Sequence, residues 1–379
     1  MKSFLKFLIF ILLALSFHIS VHAFGDNTLK EIYDNQFKTS GAEKLGENLP
    51  KDSQKALDRI GISGANFEEI SKINPGKIFE EIITTVKDKL TSPLKSLIPV
   101  AAIILICALV NNLKTSFGSN HINEIMSAVS TLCLCAVVVN PIVSCINSVA
   151  LVIKSASGFT LCAAPVMAGI MIASGHPISA TSYQALIISA GQVISHLAGN
   201  FLVPFMNMLL GISIISSVSS RLNLESLCDV IYRSVKFILK FVASIFTGIL
   251  TLQNLVTTSA DNLGTSTVKF AIDSCVPIVG SALSDAFSTV QGCVKLLKSG
   301  VGAFGIIAGG VIFLPIVIEC SIWIIFLNLA SCMGDIFELK KISSFVKSVS
   351  NVMSVVLAAL LCVIMVLIVS TVLILIIGR

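Results

Sequence analysis

Residues 269–320 read KFAIDSCVPIVGSALSDAFSTVQGCVKLLKSGVGAFGIIAGGVIFLPIVIEC, and the rest of the chain is best understood outward from them. Gly280, Ser284, Ser288 and Gly292 recur at every fourth position and so share one helix face. In lipid a row of small residues lets two backbones approach closely, giving van der Waals contact that bulky side chains prevent. Asp285 lies beside that row, and Lys295 and Lys298 close it with charge. A long apolar helix follows, carrying Gly305 and Gly309 and then Pro315 and Glu319. A carboxylate at membrane depth is costly unless paired or hydrated, which makes Glu319 a candidate for a polar path. The plainer reading gives it a hydrogen-bonded neighbour or a place near the interface. The segment reads as a helix-packing seam and contains no reaction centre.

The whole composition agrees with a membrane setting. Of 379 residues, 55% are hydrophobic and 12% charged, and several apolar runs exceed the roughly 20 residues that cross a hydrocarbon core. The fold class expected is all-α, a polytopic helical membrane protein with an N-terminal signal peptide and a small exported helical segment. Residues 24–93 carry 10 Lys/Arg and 12 Asp/Glu, whereas 94–379 carry 14 and 9. The excess of positive charge thus sits in loops that orient helices, with no basic patch suited to nucleic acid. All eleven cysteines fall after residue 106, scattered along apolar runs as reduced core residues; no spacing suggests a zinc site or a disulfide framework.

Taken in order, residues 1–23 have a signal layout: Lys2 and Lys6, an apolar run over 7–17, and Val21-His-Ala23 as a cleavage site. An uncleaved first anchor is the alternative, and either version exports residue 24 onward. Within 24–93, Gly61 stops a helix over 50–60, Asn66 with Glu69 has capping-box spacing, and Asn74-Pro75 opens a third helix through about residue 90. Ser92-Pro93 then opens the first membrane helix. Seventy residues with few aromatics make a thin core, so these helices are expected to lie on the membrane or on a partner. The membrane domain, 94–379, holds about 7–9 apolar helices, with amphipathic or re-entrant stretches at 142–157 and 270–299. The positive-inside rule orders the loops up to about residue 260, and beyond it two topologies remain open. A faint echo links Ile153-Lys154-Ser-Ala-Ser-Gly158-Phe159 with Leu297-Lys298-Ser-Gly-Val-Gly302-Ala-Phe304, as duplicated transport folds would require.

Catalytic signatures are missing. Gly292 to Ser299 lacks the second glycine of a P-loop, His121-Ile-Asn-Glu124 is not a zinc-protease motif, and no nucleophile elbow occurs. No residue is assigned to catalysis, to a cofactor or to a metal. What stands out instead is Gln192, His196 and Asn200, four apart on one helix face, with Gly191, Ser195 and Gly199 on the adjoining one. Amides in lipid go unsatisfied, so the stripe faces either a water-filled conduit or neighbouring helices that it hydrogen-bonds. Lys154, Asn328 and the Gln253-Asn254 pair carry the same two readings, with Lys154 able to snorkel from an interfacial helix.

Three stretches also resemble a known family: IYDNQFKTSGAEKLGENLPKDSQKALDRIGI (32–62), NPGKIFEEI (74–82) and VPIVGSALSDAFSTVQGCVKLLKSGVGAFG (276–305). By these the chain is similar to the stage III sporulation protein AE family of endospore-forming Firmicutes. The resemblance implies a multispanning component of the complex joining mother cell and engulfed forespore, made in the mother cell and placed in the outer forespore membrane. Its implied partners are a secretion-type ATPase (AA), membrane proteins AB, AC, AD and AF, and ring proteins AG and AH that meet the forespore protein Q. It further implies support of late forespore development and of the late forespore sigma factor. The family brings no catalytic residues with it. The expected function is therefore a non-enzymatic subunit of a sporulation channel or secretion-like complex, in contact with membrane lipid and not with nucleic acid. The rivals are a stand-alone secondary transporter with Glu319 as its proton or cation site, and a scaffold without a conduit.

Overall fold

The computed structural model describes residues 27–114, 120–218, 225–275 and 280–376, without the side chains of 27–29, 112–127, 225, 254, 258, 262–290, 373, 374 and 376. The signal-like residues 1–23 lie outside this description. The described chain is helical, with no strand among the described residues. Four N-terminal elements come first: α1 (Asn27–Thr39), a 3-10 turn (Ala42–Leu45), α2 (Lys51–Ile60) and α3 (Phe67–Ser71). The long helices are α4 (Pro75–Lys114), α5 (Asn120–Ala173), α6 (Pro177–Leu197), α7 (Val203–Val218), α8 (Glu225–Cys275), α9 (Gly280–Ile336) and α10 (Lys340–Ile376).

The N-terminal punctuation acts largely as its residues dictate. Gly61, at φ 90°, ends α2, its N–H donating to the Leu57 and Asp58 carbonyls. Asn66 Oδ1 accepts from the Glu68 N–H at 3.0 Å and caps α3. The capping box does not close: Glu69 turns instead to the Ser63 N–H and hydroxyl, both at 2.9 Å. Asn74 Oδ1 accepts from the Gly76 N–H at 2.9 Å and opens α4. Tyr33, Leu45, Leu57, Ile60 and Ile62 form a small buried cluster, and Tyr33 Oη accepts from the Phe67 N–H at 3.1 Å.

Among the described residues, six helical units are long and apolar enough to cross a membrane: Pro75–Asn111, Ala128–Ala173, Pro177–Val218, Ser226–Asp261, Gln291–Ile336 and Lys340–Val372. With its belts of outward-facing apolar side chains, among them Ile98, Phe201, Phe237, Val256 and Ile325, this is an all-α polytopic membrane protein. The helices differ from the sequence reading in their continuity. Ser92-Pro93 does not start a new helix, because α4 runs through Pro93 and Pro99. The stretch 142–157 forms no hairpin and is the middle of α5, which also carries Pro141 and Pro165. Its amphipathic pattern marks a buried face: Ile142, Ile146, Val149 and Ile153 are 0–1% exposed and turned inward. Residues 280–299 likewise continue without a break into α9. Packed neighbours re-satisfy the backbone groups that proline and glycine free inside an apolar helix. Between α6 and α7 one π-helical segment, Ala198–Leu202, joins two apolar runs into one unit.

The helix α9 is the hub of the described structure, packing against α1, α2, α3, α4, α5, α8 and α10. It runs antiparallel to α5: Cys320 lies by Cys145, and sixteen residues earlier Phe304 meets Phe159 edge to face, with ring centroids 6.4 Å apart. The two phenylalanines that end the sequence echo therefore face one another across the core. Gly300 is where α9 touches the N-terminal segment: a Cβ there would come within 3.2 Å of the Ala65 carbonyl oxygen and of Phe67. The segment with the thin core thus docks on α9.

Candidate functional site

Glu319 is not an isolated carboxylate. Lys89, carried past the N-terminal segment by the unbroken α4, places its Nζ 2.7 Å from Glu319 Oε2. The Glu319 side chain is 16% exposed and that of Lys89 39%, so the pair is partly desolvated and joins α4 to α9. A charge-assisted contact of this length meets the requirement that an acidic group in an apolar helix be paired. The next residue, Cys320, lies with its sulfur 3.8 Å from that of Cys145, and both thiols are buried. Lys89, Glu319, Cys320 and Cys145 thus tie three helices at one level. In a variant that keeps Cys145 and Cys320 as its only cysteines, mild oxidation is expected to link α5 covalently to α9. After cleavage between the two helices, the fragments should co-migrate on a non-reducing gel and separate on reduction; separate fragments without reductant would contradict the packing.

A second polar cluster closes the turn between α5 and α6. Gly175, at φ 86°, ends α5 in a Schellman arrangement, with the His176 N–H bonded to the Met171 carbonyl and its own N–H to that of Ile172. From α8, the Asp261 carboxylate accepts from the N–H groups of Ile178 and Ser179, at 3.0 and 2.8 Å, and caps α6 across more than eighty residues of chain. Asp261 is 3% exposed, and His176 Nδ1 stands 3.9 Å from its Oδ2. Burial lowers the His176 pKa, with Lys298 and Lys295 adding to the effect and Asp261 opposing it. Asp261→Ala leaves two donors unsatisfied and should destabilise the protein by about 2 kcal/mol. Hydrogen exchange at the Ile178 and Ser179 amides reads this directly; unchanged protection there would remove the cap from the account.

Gln192, His196 and Asn200 do not join either cluster. Gln192 and His196 on α6 and Asn200 on the π-helical segment after it are exposed and make no hydrogen bond among the described residues, while Gly191 is buried. Lys154 reaches from α5 to the same side: a Cβ at Gly199 would come within 2.7 Å of its Nζ. Asn328, by contrast, is interhelical glue, accepting from Ser350 Oγ at 3.0 Å. Tyr232 plays that part between α7, α8 and α10, bonded to Ser213 Oγ at 3.0 Å and donating to the Ser348 carbonyl at 3.4 Å.

The small-residue seam divides. The side chains of Ser284 and Ser288, and the surroundings of Gly280, lie outside the described residues. Gly305 does serve close packing, with Thr371 of α10 3.3 Å from where its Cβ would stand. Gly292 and Gly309 face open space, since no atom lies within 4 Å of a Cβ built on either. Small residues permit close approach but do not compel it, and at Gly309 the neighbouring helices stand apart around a cavity. Sequence reasoning missed Lys89, Asp261 and the cysteine pair as partners, because their contacts span 230, 82 and 175 residues and leave no local pattern.

A family model described as stage III sporulation protein AE matches residues 65–378. The chain belongs to the stage III sporulation protein AE family. It is also 22% identical over 202 residues to stage III sporulation protein AE of Bacillus subtilis (strain 168), a match covering 53% of this chain and 51% of that protein. The chain thus spans about half the length of that relative. No solved structure matches. Two of the three stretches that carry the resemblance, 74–82 and 276–305, lie within the matched region, and the docking helix α9 is wholly inside it. This family member is a multi-pass membrane protein of sporulation.

Proposed function

We propose that the chain is a non-enzymatic multispanning subunit of a channel or secretion-like complex joining mother cell and forespore. The family match over residues 65–378 carries this reading. In it the protein sits in the mother-cell-derived outer forespore membrane, with the N-terminal helices in the intermembrane space. It works beside the ATPase AA, the membrane partners AB, AC, AD and AF, and the ring proteins AG and AH that meet forespore protein Q. Its output is late forespore development and activity of the late forespore sigma factor. The outward polar stripe of Gln192, His196 and Asn200 supports a subunit role, since amides on an apolar helix need cover and none of the three is hydrogen-bonded among the described residues. The alternative, a stand-alone transporter using Glu319 as an ion site, is disfavoured by Lys89, which already neutralises that carboxylate.

Single cysteines placed along α6 and α9 in a cysteine-less background test this reading in the assembled complex. Labelling by a membrane-impermeant thiol reagent at positions 192, 196 and 200, with protection of 193 and 197, would mean that the stripe borders an aqueous conduit. Protection of the stripe that is lost when the other subunits are deleted would mean that a partner helix covers it. Identical labelling with and without the other subunits, together with uptake by the purified chain alone, would overturn the subunit reading in favour of the transporter.

A further inference from the structure

A cavity of about 620 Å³ lies between the N-terminal helices and the bundle, within the range of roughly 300–1,000 Å³ typical of small-molecule sites. Its two walls differ in chemistry. One, from α2 and the first turns of α4, carries charge; the other, from α5, α6, α9 and α10, is uncharged and mainly apolar, with the hydroxyls of Ser148, Ser155, Thr160, Tyr183, Ser370 and Thr371. On the apolar wall Gly309 and Gly310 stand side by side, and a Cβ on either would meet nothing within 4 Å. Two glycines at the centre of a long apolar helix thus hold open space that leucines would fill. On the charged wall, Arg59 pairs with Glu81 at 3.1 Å, and Lys89 reaches Glu319 of α9 at 2.7 Å, so each of these charges is answered. Asp52, Lys55 and Asp88 also line the cavity and form no ion pair among the described residues.

We infer that this cavity holds a phospholipid with a zwitterionic headgroup. The phosphate meets Lys55, the ammonium meets Asp52 or Asp88, and one acyl chain lies along the wall at Gly309 and Gly310. Free charges of both signs on one wall match a headgroup that carries both. An anionic headgroup would meet two free carboxylates for one free ammonium group, and a fatty acid would leave both carboxylates unanswered. Helices with one charged and one apolar face settle at the headgroup boundary, which is where such a molecule would be gripped. The inference concerns the chain alone and does not depend on its place in a complex.

The test uses the full-length chain purified in detergent and incubated with phosphatidylethanolamine bearing a photoreactive acyl chain. Parallel samples receive phosphatidylglycerol or a free fatty acid with the same photoreactive group. After irradiation, mass spectrometry maps the adducts. Phosphatidylethanolamine should label residues 304–315 severalfold more than either competitor. The double variant Gly309→Leu, Gly310→Leu should lose those adducts while keeping ones on the outward residues Ile325 and Leu329 of the same helix. Should that variant fail to fold, the surface double variant Asp52→Lys, Asp88→Lys carries the test, and its preference for phosphatidylethanolamine over phosphatidylglycerol should fall severalfold. Equal labelling by all three probes overturns the inference, as does labelling of 304–315 that both variants leave unchanged.

Discussion

Glu319→Lys should produce the largest single-residue loss in the protein. It sets two ammonium groups against each other where 2.7 Å now separates opposite charges, beside a sulfur pair with no polar capacity to spare. Breaking a fully buried ion pair costs roughly 3–5 kcal/mol. The Lys89 side chain is 39% exposed, so about 2 kcal/mol is the expected loss for Glu319→Gln, with more for the reversal. The thermal midpoint of the purified chain should fall, and the spore count should fall with it. The decisive strain is the exchange, Lys89→Glu with Glu319→Lys, which restores opposite charges on the same two helices and should recover most of both readouts. If the exchange is no better than the single reversal, the pair does not join α4 to α9 as described. Glu319 would then regain its standing as an ion site.

The second large effect is expected at Gly300. A leucine there must displace the Ala65 carbonyl and the Phe67 backbone, both within about 3.3 Å of the first carbon added, and neither is a flexible chain end. Overpacking of this kind costs about 1–3 kcal/mol. Here the strain falls on the joint between α9 and the N-terminal helices. The bundle should remain folded, while residues 27–74 become rapidly cleaved by added protease. Gly300→Ala should show a weaker form of the same change. Protease resistance equal to the parent in Gly300→Leu would mean that the segment is held elsewhere, by α1 against α9 or by the Arg59–Glu81 pair.

Much of this architecture is legible in the residues. Apolar run lengths give the all-α polytopic class, and Gly61, Asn66 and Asn74-Pro75 mark helix ends where they fall. The four-residue spacing of small side chains singles out the stretch that becomes the hub. What periodicity leaves open is which neighbour a face meets. It groups Gln192, His196 and Asn200 on one side of α6 without saying that the side points outward. It groups Gly305 with Gly309 without saying that one touches α10 and the other a cavity. Continuity is equally hidden, because Ser92-Pro93 reads as a helix start, yet Pro93, like Pro141 and Pro165, is carried through when tertiary neighbours stabilise the freed backbone. Lys89 looks like one more charge of an amphipathic helix until Glu319 is found beside it.

The span lengths have a consequence for the membrane itself. The helical unit Ala128–Ala173 has 46 residues and Gln291–Ile336 the same number, with Lys154 in the first and Lys295 and Lys298 in the second. At 1.5 Å per residue each is about 69 Å long, against a hydrocarbon thickness of about 30 Å. Closing such a mismatch by inclination alone needs an angle of about 64° from the bilayer normal, beyond the usual limit of about 40°. Lipid therefore cannot wet the full length of these helices in an ordinary bilayer. The stretches that carry Lys154, Lys295 and Lys298 are the parts suited to stand clear of the hydrocarbon. The same two rods that cross the membrane thus also set how far the protein reaches beyond it.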